Sequence, residues 1–135
     1  MNIKNLIVSV VVVFVFVFLF DWLFHGVLLD SIYKQTPNVW RTQTDMEAHF
    51  AWGILGELGT AIFASLIFIL GFPTKNIPQG IIYGLLIGGL FALMNLGMYA
   101  YLPISLLLVS LWAVGALLQG LIIGLILGLV NKNTN

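Results

Sequence analysis

The chain has 135 residues, 61% of them hydrophobic and only 7% charged, with five basic and five acidic side chains. A soluble domain is about a quarter charged, so this composition excludes an aqueous globule and makes the bilayer the solvent. Zero net charge argues against a nucleic-acid partner or an acidic substrate held on a basic face. The absence of cysteine excludes disulfides, thiolate metal sites and cysteine nucleophiles.

Met1-Asn2-Ile3-Lys4 resembles the basic start of a signal peptide, but the apolar run behind it is too long and no small-x-small cleavage site closes it. A retained first helix is expected. From Leu6 to Phe20 only Ser9 is not strongly apolar. Val and Phe alternate over Val13 to Phe20, a strand pattern in water. In lipid an open strand would leave backbone groups unsatisfied. A closed barrel needs apolar-polar alternation that the later apolar runs lack.

Four apolar spans are predicted, at residues 5–29, 49–72, 79–101 and 104–130. Each is long enough for roughly 30 Å of hydrocarbon at about 1.5 Å per residue. Residues 30–48 form the one sizeable loop, 73–78 a turn, and Leu102-Pro103 the last connection, with Pro103 placed in the first turn of a helix. Short connections predict an all-α, antiparallel four-helix bundle forming a single transmembrane domain. Lys4, Lys75 and Lys132 lie on one side and Lys34 and Arg41 on the other. The basic count therefore places both termini in the cytoplasm and the 30–48 loop outside. Tyr33, Trp40 and Trp52 are then expected at the outer headgroup level, with Trp40-Arg41 as an interface anchor.

Span three carries Gly80, Gly84, Gly88 and Ala92 at intervals of four, and span four repeats the spacing with Ala116, Gly120, Gly124 and Gly128. Such stripes let helix backbones approach closely. Packing is the expected role, with a glycine-lined pore or gate as the alternative.

Depth sorts the polar residues. Counted from the outer span ends, Asp21, Glu57 and Asn95 lie roughly 9 to 12 Å below one interface at about 1.5 Å per residue. His25 is one turn shallower and Gln119 deeper. One polar layer in the outer half is therefore expected. Its simplest role is structural: a protonated Asp21 donating to Asn95 or sharing a proton with Glu57, and His25 pairing with Asp21. A second reading is proton-linked transport or ion permeation, since carboxylates and histidine at membrane depth are the parts of a proton relay. The apolar inner half and a fourth span carrying only Gln119 weigh against it. A third reading gives His25 and His49 to a haem or, with Asp21 and Glu57, to a metal. No two-histidine zinc motif or glutamate-x-x-histidine motif supports it, and no cofactor is expected. Asp30, Ser31 and His25 lack a nucleophile elbow, and no phosphate-binding glycine loop is present.

The stretch Asp21-Trp22-Leu23-Phe24-His25-Gly26-Val27-Leu28-Leu29, with Tyr33, Trp40-Arg41 and Met46, resembles a group of small bacterial four-span membrane proteins classed as a domain of unknown function. Tyr83-Gly84-Leu85-Leu86-Ile87-Gly88 and Asn95-Leu96-Gly97-Met98-Tyr99 fit the same pattern. The resemblance implies the four-span architecture and a bacterial membrane, and carries over no substrate, catalytic residue or partner. The expected function is a non-enzymatic accessory or scaffold protein, packing against itself or a larger membrane complex. The runner-up is a small oligomeric proton-linked transporter or channel.

Overall fold

The computed structural model describes residues 2–132. Helix α1 (Ile3–Asp21) starts at Asn2, whose side chain accepts from the Lys4 amide at 3.0 Å, and runs on as a π-helical segment, Trp22–Leu28. The loop is itself helical. It holds α2 (Asp30–Tyr33), a 3₁₀ turn at Pro37–Val39, and α3 (Gln43–Ala48), capped by Thr42. Then come α4 (Phe50–Gly71), α5 (Ile77–Gly97) with a 3₁₀ turn at Met98–Ala100, and α6 (Leu106–Asn131). No strand occurs among the described residues. Asn76 caps α5, accepting from the Gln79 amide at 3.0 Å. Ser105 caps α6, accepting from the Leu108 amide at 3.2 Å. Pro103 therefore precedes that cap and is not in the first turn of the helix, as the sequence suggested.

Ile3–Leu28, Phe50–Gly71, Ile77–Ala100 and Leu106–Asn131 are long and apolar enough to cross a bilayer, which makes this an all-α bundle of multi-pass membrane type. We call the end bearing residues 30–48 the loop end and the other the terminal end.

Helix α6 organises the packing. Its stripe meets that of α5 in antiparallel register, each step of four along one matched by four along the other. A Cβ on Gly84 would lie 2.5 Å from the Gly120 carbonyl oxygen. On Gly80 or Gly124 it would run into the facing backbone. No small shift relieves a clash with backbone, so these positions admit only hydrogen.

Against α1, register is pinned by polar pairs. The Gln119 side chain donates to Asp21 at 2.7 Å. The buried Asn131 side chain donates to buried Ser9 at 2.9 Å. Both partners step twelve residues between these contacts, so the pins lie about 18 Å apart at 1.5 Å per residue. Between them Val13 and Val17 join Ala61, Ala64, Phe68, Tyr83, Ile123 and Leu127 in the core. The buried Tyr83 hydroxyl donates to the Ala64 carbonyl at 2.7 Å, tying α5 to α4. Phe68, Phe72 and Tyr83 pack ring on ring beside it, with centroids 5.4 to 5.6 Å apart. The terminal end is thus closed.

Candidate functional site

The loop end is built differently. Leu29 donates its amide to Phe24, five residues back, at 3.0 Å, which closes the wide turn of the π segment. Such segments are uncommon and recur at functional sites. Here the segment drives Phe24 against α6: a Cβ on Gly115 would fall 2.5 Å from its ring. The same segment carries His25, whose Nδ1 lies 2.6 Å from the Tyr33 hydroxyl. The Trp112 indole N–H donates to that same oxygen at 2.7 Å. An indole only donates, so Tyr33 accepts from Trp112 and gives its own proton to Nδ1. In the neutral imidazole this assigns the ring proton to Nε2. Trp40 closes the group edge-on to Tyr33, at 5.1 Å between centroids. Burial pushes the Tyr33 phenol above its ordinary value; the Trp112 bond works against that shift and the nearby Asp21 charge adds to it.

This geometry corrects the anchor reading. Tyr33 and Trp40 turn inward onto Trp112 because Leu29, Ile104, Leu108 and Val109 form a second core beneath them. Arg41 stays exposed and pairs with Asp45 at 2.7 Å. Trp52, at the start of α4, is 72% exposed.

The polar layer also differs from the sequence reading. Gln119 is not below the layer but at Asp21, and it takes the place expected for Asn95 or Glu57. The start of α6 reaches past the end of α1 to pack on the loop, so counting from span ends misplaced it. Asn95 donates to the Trp112 carbonyl at 3.4 Å, continuing the α5 stripe. His25 is one turn from Asp21 but spends its Nδ1 on Tyr33.

Glu57 is left over. One of its carboxylate oxygens is buried with no hydrogen-bond partner among the described residues. By helical spacing, Gly53, Thr60 and the buried Ala64 lie on its side of α4, with Gly56 next to it. A Cβ on Gly53 or Gly56 would meet nothing within 4 Å among the described residues. Thr60 turns its hydroxyl back to the Gly56 carbonyl at 2.9 Å. Thr60 and Ala64 then line a narrow groove of about 90 Å³ that α5 and α6 complete with Ile87, Phe91 and Gln119.

The histidines are not brought to a common site by any contact. His49 Nδ1 lies 2.8 Å from the Asp45 carbonyl, at the end of α3. No three His, Asp or Glu side chains converge among the described residues.

Sequence reasoning missed Ser9, Asn131, Tyr83 and the α4 face. Ser9 had a usable signal, being the only residue from Leu6 to Phe20 that is not strongly apolar; its pairing with Asn131 did not. Tyr83 had none, being one aromatic in an apolar run.

No protein-family model, no curated protein and no solved structure matches the chain. Functional argument therefore rests on the geometry.

Proposed function

We propose that this chain is a non-enzymatic accessory or scaffold protein whose α4 face receives a transmembrane helix of a partner. The observation that carries it is the open surface at Gly53 and Gly56, where an added Cβ would meet nothing within 4 Å among the described residues, beside a Glu57 oxygen that is buried with no hydrogen-bond partner among them. An ionisable group at membrane depth is costly and normally faces protein or a water-filled cavity. Gly53 and Gly56 would let the backbone of a partner helix come close, and Glu57 would meet that helix's donors by turning its carboxylate outward. The setting that the motif resemblance implies, a bacterial inner membrane, belongs to this proposal. So does cytoplasmic placement of the terminal end, which holds three of the five basic residues.

The runner-up, a proton-linked transporter or channel, draws on the His25–Tyr33–Trp112 group above the Asp21–Gln119 pair. The ring plug of Phe68, Phe72 and Tyr83 weighs against a path through the terminal half.

The test is the mass of the assembly after gentle extraction from its own membrane. A mass above the 14.9 kDa of one chain, with partner protein in it, supports the proposal. Reversion to a single chain in Gly56→Trp then places the partner on this face. A single chain from the unmodified protein contradicts it. Asp21→Asn separates the runner-up, which requires that proton-coupled flux be lost while the assembly persists.

A further inference from the structure

The π segment, α2 and residues 37–46 enclose an open cavity of about 750 Å³. That is the size of a small-molecule site, roughly 300 to 1,000 Å³, and far larger than an inorganic ion needs. Its lining runs from His25 and Gly26, in the last turn of the first apolar helix, into the loop that follows. Its wall is largely aromatic, with Trp40, Trp112 and Tyr33 half-buried and Met46 beside them. His25 lies on the same wall and holds Tyr33 in place.

Each basic side chain at the cavity has a carboxylate partner four residues away and donors to spare. Lys34 and Arg41 border the cavity with a single acid, Asp30. Asp30 is taken by Lys34 at 2.5 Å. Arg41 pairs with Asp45, which does not line the cavity, through one guanidinium nitrogen at 2.7 Å. A guanidinium has five donors in a fork that matches phosphate oxygens, and an ammonium has three. Both side chains are largely exposed and can reach an anion while their apolar stems remain on the wall.

We propose that this cavity binds a phosphate-headed amphiphile, the phosphate on Arg41 and Lys34 and the apolar body along Trp40, Trp112 and Met46. The inference uses none of the residues on the α4 face and stands or falls separately from it. Two sources supply such a ligand: a phospholipid of the surrounding bilayer or a soluble phosphorylated amphiphile.

The experiment uses the full chain in a neutral detergent. Trp22 and Trp52, both mostly exposed, are replaced by phenylalanine so that emission reports Trp40 and Trp112. Dodecyl phosphate is the probe. The expected result is a saturable emission change that a neutral dodecyl glycoside does not produce. Lys34→Gln with Arg41→Gln should weaken it at least tenfold, the equivalent of about 1.4 kcal/mol. Arg41→Lys, which keeps the charge, should fall in between and guards against a folding artefact. Competition by phosphatidylglycerol in mixed micelles assigns the lipid source, and competition only by soluble phosphate esters the other. An absent or unsaturable response, an equal response to the neutral glycoside, or unchanged affinity in the double variant would overturn the proposal.

Discussion

The two ends of this bundle use the same residue types for opposite ends. At the terminal end Asn131 answers Ser9 across the α1–α6 contact, and the α5–α6 glycines touch facing backbone. At the loop end, Gly53 and Gly56 face open space and Glu57 keeps a buried oxygen without a donor. Glycine at helical spacing therefore does not by itself identify a packed interface. It identifies a surface that permits one, and only the facing atoms say whether the chain has already used it. Buried oxygens without a partner among the described residues occur toward both ends, Ser65 in the terminal half of α4 and Glu57 in the loop half, so it is the glycine surroundings that separate the two ends.

The comparison can be broken at its strongest point first. Gly124→Ala forces a Cβ into the α5 backbone and should cost about 3 kcal/mol, the upper part of the usual overpacking range. Reversible unfolding in micelles measures it. Asn131→Leu removes the donor to buried Ser9 and should cost about 2 kcal/mol, since a buried hydroxyl loses its partner. Gln119→Leu abandons the half-buried Asp21 and should cost about 1 kcal/mol. Its effect should be smaller than that of Asn131→Leu; the reverse order would mean that the loop-end pin carries the register. Gly56→Ala should be the mildest, neutral or stabilising by about 0.5 kcal/mol through helix propensity alone. A large loss there in the isolated chain would erase the distinction between the two ends.

A pH titration sharpens the loop-end side. The folded phenol of Tyr33 titrates above its ordinary value of 10.0. The stability it contributes is therefore complete below pH 10 and lost as pH rises through the folded value. The phenolate absorbance that Tyr33→Phe removes should appear only above pH 10, together with loosening of the 30–48 loop. Simultaneous ionisation of all four tyrosines would contradict the buried arrangement.

Much of this architecture was legible beforehand, for identifiable reasons. Uninterrupted apolar length fixed the four spans to within a few residues, because backbone groups in lipid must be satisfied within the helix. Four-residue spacing marked the Gly80 and Gly120 stripes. The types in the polar layer were also readable, since Asp21 and Glu57 have no other reason to interrupt such runs. Their pairing was not. Vertical offset between helices depends on how α6 seats against the loop, and span ends do not encode it; Gln119 was placed too deep for that reason. The π turn at Trp22–Leu28 was equally hidden, because it arises where Phe24 packs on Gly115, a long-range contact, and where Tyr33, eight residues on, meets His25. Those contacts also turn Tyr33 and Trp40 onto Trp112, which their residue types alone do not indicate.

The most direct test exploits the absence of native cysteine. Single cysteines at Gly56, on the open α4 face, and at Leu93, an exposed α5 position, would be treated in native membranes with a bifunctional thiol-photoreactive crosslinker. The account predicts a discrete protein adduct from position 56 and only lipid adducts from position 93. Lipid adducts alone from both positions would contradict the claim that the α4 face is built to be covered by protein.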